Sequence, residues 1–151
     1  MLLRTHFMIA LLCGLLAMSY FNFSWLFLIV VLISTLISDL DSSRSRYGKK
    51  FWLLRPIQWL AGHRKIFHSF IFIFLIGVGI WFLSREISYA FVFGYGLHLL
   101  IDCLTLQGVM LFYPFSDFRI KGFIKTGGWI EWGIFLVSFL GVVLVLNGMF
   151  F

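Results

Sequence analysis

Charge is what this chain has least of. Only 12% of its 151 residues are charged, and acids number six against twelve lysines and arginines. A soluble domain carries about a quarter of its residues as charges, so this composition excludes an ordinary water-facing surface. Cysteine is scarce as well. Cys13 and Cys103 lie inside apolar runs, with no paired spacing that would indicate a disulfide framework or a thiolate zinc site. The two prolines, Pro56 and Pro114, both fall in polar connections. A serine nucleophile elbow, a P-loop and a dinucleotide fingerprint are also missing, which removes three large enzyme classes.

Apolar side chains fill the space left by those absences. The sequence is 62% hydrophobic, with twenty phenylalanines and a mean hydropathy of +1.02. Long uncharged runs of this kind define an all-α, polytopic membrane helical bundle. One domain over residues 1–151 is expected. Five spans can be read: Leu3 to Phe21, Trp25 to Ser38, Ile66 to Leu83, Ile87 to about Leu104, and Trp129 to the C-terminus. The second is short against the roughly 20 residues of a normal span. Arg4 followed by an apolar run and Cys13 imitates a lipoprotein signal. Leu12 stands where a small residue would be needed, and no Ala-x-Ala site follows, so an uncleaved first helix is expected.

The net charge of +6 is a statement about orientation rather than nucleic acid. Arg4, the connection Asp39–Lys65 and the connection Gln107–Gly128 together hold eleven of the twelve lysines and arginines; Arg85 is the other. The positive-inside rule puts those connections and the N-terminus in the cytoplasm. In the longer connection, Phe51-Trp52-Leu53-Leu54 and Ile57-Gln58-Trp59-Leu60 flank Pro56 among basic residues. This suits a segment in the headgroup region and equally an ordinary loop packed on the bundle.

The same topology collects the ionisable residues at one end. His6 begins the first span, Asp39 and Asp41 end the second, His63 and His68 begin the third, and His98 and Asp102 close the fourth. Ionisable groups at membrane depth are costly and mark function by default. His98 and Asp102, four apart, share a helix face and can point at one ion. Asp102 lies toward a helix C-terminus, where the macrodipole disfavours negative charge, so a metal or an arginine should offset it. His6 alone reads more readily as a packed residue, and Glu131 at a helix N-terminus is favourable without any function. Imidazoles with carboxylates and no thiolates suit Zn²⁺, with Mn²⁺ or Fe²⁺ as alternatives. A metal-activated water beside Arg64, Lys65 and Arg119 points to cleavage of a phosphoester, with membrane lipid as the nearest source.

Thr5-His6, Ser38-Asp39-Leu40-Asp41, Gly62-His63-Arg64-Lys65-Ile66-Phe67-His68-Ser69, the run Gly96 to Gly108 and Pro114-Phe115-Ser116 occur in that order. Together these resemble the YdjM-type (LexA-regulated) inner-membrane metal-dependent hydrolase family, distantly similar to zinc-dependent phospholipase C and P1-type nucleases. The resemblance covers residues 5 to about 131. It implies His6, an aspartate of the Asp39/Asp41 pair, His68, His98 and Asp102 as ligands, with Asp102 able to bridge two metals. His63 and Arg64 are expected to orient ligands or substrate from beside the metal. The soluble relatives carry a later His-x-x-x-Glu pair; here Gly127 stands four residues before Glu131, so one or two metals are expected rather than three. Two rival readings stand beside this one, the first of them using the same residues. A proton or metal-ion transporter would need polar groups continuing to the far face, and a non-enzymatic membrane partner would act through the basic connection.

Overall fold

The computed structural model describes residues 1–40 and 66–150, with side chains at residues 1–38 and 66–148. Asp41, His63, Arg64 and the expected headgroup segment lie outside the described residues; Asp39 is described by its backbone alone. Five helices run through the described residues: α1 Leu3–Phe21, α2 Trp25–Leu40, α3 Phe70–Trp81, α4 Arg85–Cys103 and α5 Trp129–Phe150. No strand accompanies them there. Two isolated bridges, Thr105 with Ile124 and Val109 with Ile120, fold the connection before α5 back on itself.

Local chemistry sets the helix ends. Asn22 takes the left-handed conformation (φ 55°) and returns its N–H to the Met18 carbonyl, which stops α1. Ser84 is extended and its hydroxyl accepts from the Ile87 N–H at 3.4 Å, so α4 starts at Arg85, two residues before the expected point. The third span needs a larger correction. Ser69 is extended, accepts from the Phe72 N–H at 3.3 Å and donates to the Ile66 carbonyl at 2.6 Å. Helix α3 therefore begins at Phe70 and not at Ile66, and His68 stands on the turn before it. In the other direction α2 continues two residues past Ser38, taking Asp39 into its last turn.

Two segments, Leu3–Phe21 and Trp129–Gly148, are long and apolar enough to cross a membrane by themselves. The 16 residues of α2 and 12 of α3 rise only about 24 and 18 Å, against a hydrocarbon core of about 30 Å. Large apolar side chains face outward over most of the surface; Trp129 is 94% exposed and Leu83 87%. Lipid accepts such a surface and water does not.

Helix α4 packs against α1, α2 and α3, and α5 joins the bundle through α1. Contacts between Phe27 and Phe93 and between Val31 and Gly94 set α2 and α4 parallel. Trp81 on Tyr89 and Gly77 on Val92 set α3 antiparallel to α4. The bundle thus has two ends. One holds the Ser24 backbone N–H, which donates to Glu86 at 2.9 Å. The other gathers the start of α1, the close of α4 and the start of α5. Gly94 controls how near α2 and α4 come, because a Cβ there would lie 2.4 Å from the Val31 carbonyl oxygen. That approach lets the buried Thr35 hydroxyl donate to the Gly94 carbonyl at 3.0 Å.

Replacing Gly94 by Ala should lower stability by about 1–3 kcal/mol through forced separation of α2 and α4. Gly79→Ala, where a Cβ would meet nothing within 4 Å, should stay within about 0.5 kcal/mol of wild type. Thermal unfolding in detergent distinguishes the two.

Candidate metal centre

The site is built from the bottom of three helices. His6, one turn into α1, is fully buried because its neighbour Thr5 is anchored: the Thr5 hydroxyl donates to Glu131 Oε1 at 2.9 Å. Successive residues on a helix diverge by about 100°, so with Thr5 turned to α5, His6 turns to α4. There its Nε2 lies 3.2 Å from Asp102 Oδ1. His98, also fully buried, presents Nε2 to Asp102 Oδ2 at 3.6 Å, as the four-residue spacing predicts. The two imidazoles stack with centroids 4.3 Å apart and planes at 28°. One ligand atom from each of His6, His98 and Asp102 falls within 4.8 Å of the others.

The hydrogen-bond pattern around His6 bears directly on a cation. Its Nδ1 lies 3.3 Å from the Leu2 carbonyl oxygen, which can only accept, so Nδ1 is the donor. In a neutral ring Nε2 then carries a lone pair, and that lone pair faces a carboxylate oxygen. Two acceptors face each other comfortably only with a proton or a metal ion between them. Neither ring nitrogen of His98 makes a hydrogen bond, an expensive state for buried polar atoms. The His6–Asp102 and His98–Asp102 separations, 3.2 and 3.6 Å, lie near the roughly 3.3 Å between neighbouring ligands of a tetrahedral zinc. Positive charge is already drawn to this point, for the amino-terminal ammonium lies 3.1 Å from Asp102 Oδ1.

The remaining sequence candidates are placed as follows. His68 is buried on the turn before α3, its ring edge-on to His98 with centroids 5.6 Å apart. It is a neighbour of the three-residue group and not a member of it. Asp39 is in the last turn of α2, and Asp41, His63 and Arg64 are outside the described residues. Arg119 is exposed and donates to the Gln107 carbonyl at 3.4 Å. Cys13 and Cys103 are free thiols.

One contributor, Tyr95, escaped the sequence reading, and another, Glu131, was given too little weight. Tyr95 donates its hydroxyl to the Phe67 carbonyl at 2.9 Å and so holds the turn that carries His68. Its position three residues before His98 puts it on the same side of α4, a signal available from spacing. Glu131 is 1% exposed. It accepts from the Leu2 N–H and the Thr5 hydroxyl through Oε1, and from the Gly127 N–H through Oε2 at 2.6 Å. Its carboxylate ties the starts of α1 and α5 together and is spent on that task. Glu131→Gln places an amide N–H against a backbone N–H and should cost about 1–3 kcal/mol. Hydrogen exchange over residues 2–8 should rise in that variant.

The fold and site together define an all-α membrane protein with a buried histidine–carboxylate group at one end of its bundle. The chain belongs to the YdjM inner membrane protein family, whose model matches residues 1–150. It is 28% identical over 103 residues to the uncharacterized protein YvsG of Bacillus subtilis, covering 66% of this chain and 64% of that one. It is 31% identical over 91 residues to the inner membrane protein YdjM of Escherichia coli, covering 55% of this chain and 46% of that one. The Shigella flexneri protein of the same name matches equally. The chain therefore spans between about half and two thirds of the length of these relatives. No solved structure matches it.

Proposed function

We propose that this protein is a multi-pass inner-membrane hydrolase that uses a divalent metal, zinc first, to cleave a phosphoester at the cytoplasmic face. The observation that carries this reading is the buried group itself. His6 and His98 direct Nε2 at the two oxygens of one carboxylate, and both imidazoles are fully buried there. His6, His98 and Asp102 would hold the ion, with His68 and an aspartate of the Asp39/Asp41 pair as further candidates; such an ion supplies an activated water at neutral pH. The chain's own residues do the rest. Leu2 fixes the His6 tautomer through its carbonyl. The Tyr95 hydroxyl positions the His68 turn. His63 and Arg64 would orient ligands or substrate.

Placement at the cytoplasmic headgroups rests on the lysine and arginine distribution and on the connection before α5. There Phe112, Phe115, Phe118 and Phe123 are exposed and alternate with exposed Arg119, Lys121 and Lys125. Apolar rings beside cations suit a segment at headgroup depth, where a phospholipid would be the nearest phosphoester. The transporter reading finds less support. The buried hydroxyls of Ser34, Thr35 and Ser38 each give their one proton to a backbone carbonyl, which leaves none of them a free donor for a proton relay.

Elemental analysis of detergent-purified protein, reloaded with zinc, provides the test. Wild type should retain one or two ions per chain, and His98→Ala and Asp102→Asn should lose them while keeping their helical signal. Hydrolysis of a phosphodiester and of phospholipid vesicles should fall with metal content. A folded, metal-replenished wild type that binds nothing would end the hydrolase reading and leave flux through liposomes to be measured.

A further inference from the structure

A second feature runs along α3, from Phe70 beside the histidine turn to Trp81 at the far end. A cavity of about 740 Å³ runs along α3, walled by that helix and by parts of α1, α2 and α4. Phe70, Phe74, Val78 and Trp81 line it from one side of α3, and Phe21 and Phe27 face them. Its volume lies within the roughly 300–1,000 Å³ of specific ligand sites. Several wall residues are open to the surroundings; Phe74 is 67% exposed and Phe21 62%, so the cavity opens sideways and is not sealed.

Water is a poor occupant. A buried water needs two to four polar partners, and the Ser88 hydroxyl on this wall already donates to the Gly77 carbonyl at 2.7 Å. In a bilayer the medium beside such an opening is hydrocarbon. The twelve residues of α3 from Phe70 to Trp81 rise about 18 Å, and the cavity follows that length.

The Trp81 end supplies a headgroup partner. The Arg85 guanidinium lies 5.6 Å over the Trp81 ring, and Trp81 meets Tyr89 edge-on at 5.2 Å. Tryptophan and tyrosine belong at the level of lipid headgroups, and an exposed arginine there pairs readily with phosphate. Arg85 is also the one basic residue that the charge distribution leaves on this side. We infer that the cavity along α3 holds one acyl chain of a membrane glycerophospholipid whose phosphate sits at Arg85, in the leaflet opposite the histidine–carboxylate group. This lipid site is separate from the hydrolytic centre. It braces α3 against α1 and α2, elements that make no direct packing with it otherwise.

The test uses the full chain in phosphatidylethanolamine and phosphatidylglycerol vesicles containing a trace of phosphatidylglycerol with an acyl-chain diazirine. After photolysis, peptides are mapped for label. Label on Phe70–Trp81 should exceed that on the outward face of α5 around Val137, which is 71% exposed. Val78→Trp, which fills the cavity, should abolish the excess, while Val137→Trp should leave it. Phe74→Ala, which enlarges the cavity, should keep it. Arg85→Gln should reduce it without changing helical content. Equal labelling of all outward faces, or an excess that survives Val78→Trp in a folded protein, overturns the site; an excess untouched by Arg85→Gln overturns the phosphate assignment. If Val78→Trp does not fold, Val78→Phe takes its place. Metal content measured on the same samples keeps the two ideas apart. Lipid capture without metal would end only the hydrolase reading, and metal with uniform labelling would end only this one.

Discussion

A carboxylate at the wrong end of a helix organises this molecule. Asp102 closes α4, where the helix dipole repels negative charge, at a depth where uncompensated charge is costly. Its neighbours come from near and far in sequence: His98 one turn back on α4, His6 on α1, and the amino-terminal ammonium. For His6 to reach Asp102, α1 must lie beside α4 at that level. Glu131 secures this by binding the Leu2 N–H and the Thr5 hydroxyl from the start of α5. The site and the parallel pairing of α1 with α5 are therefore one arrangement.

Small residues make that arrangement compact. Gly94 brings α4 onto the backbone of α2, and Gly14 brings α1 onto Leu28 and Val31 of the same helix. Association of helices in lipid has no hydrophobic driving force of its own; it relies on close van der Waals contact and hydrogen bonds between helices. The Thr35 to Gly94 bond is one of these, and the Ser88 to Gly77 bond between α4 and α3 is another. Where the helices do not close up, along the Phe70–Trp81 side of α3, the cavity remains. The two ends of the bundle then differ in chemistry, imidazole and carboxylate at one, aromatic rings with a single arginine at the other.

Much of this was legible in the chain. Hydropathy located the helices to within a few residues because each is a continuous apolar run. The four-residue spacing of His98 and Asp102 forecast their shared face because helix geometry is local. The start of α3 was misjudged because apolar Ile66 and Phe67 continue the run past Ser69, whose capping hydroxyl outweighs hydropathy there. Glu131 was undervalued for a related reason: a carboxylate at a helix N-terminus is favourable by itself. Nothing local announces that Leu2 and Thr5 will be its partners.

The sequence alone determined that the chain is a bundle of apolar helices and that His6, His68, His98 and Asp102 gather toward one end. Each of these follows from composition, periodicity or charge count within a short window. Tertiary structure decided which ionisable groups meet. His6 joins His98 and Asp102 while His68 stands beside them, because the rotation of α1 is set by Thr5 on Glu131 and the His68 turn by Tyr95 on Phe67. Rotation and depth of one helix against another depend on contacts 28 and 126 residues apart in sequence, and no local pattern encodes them.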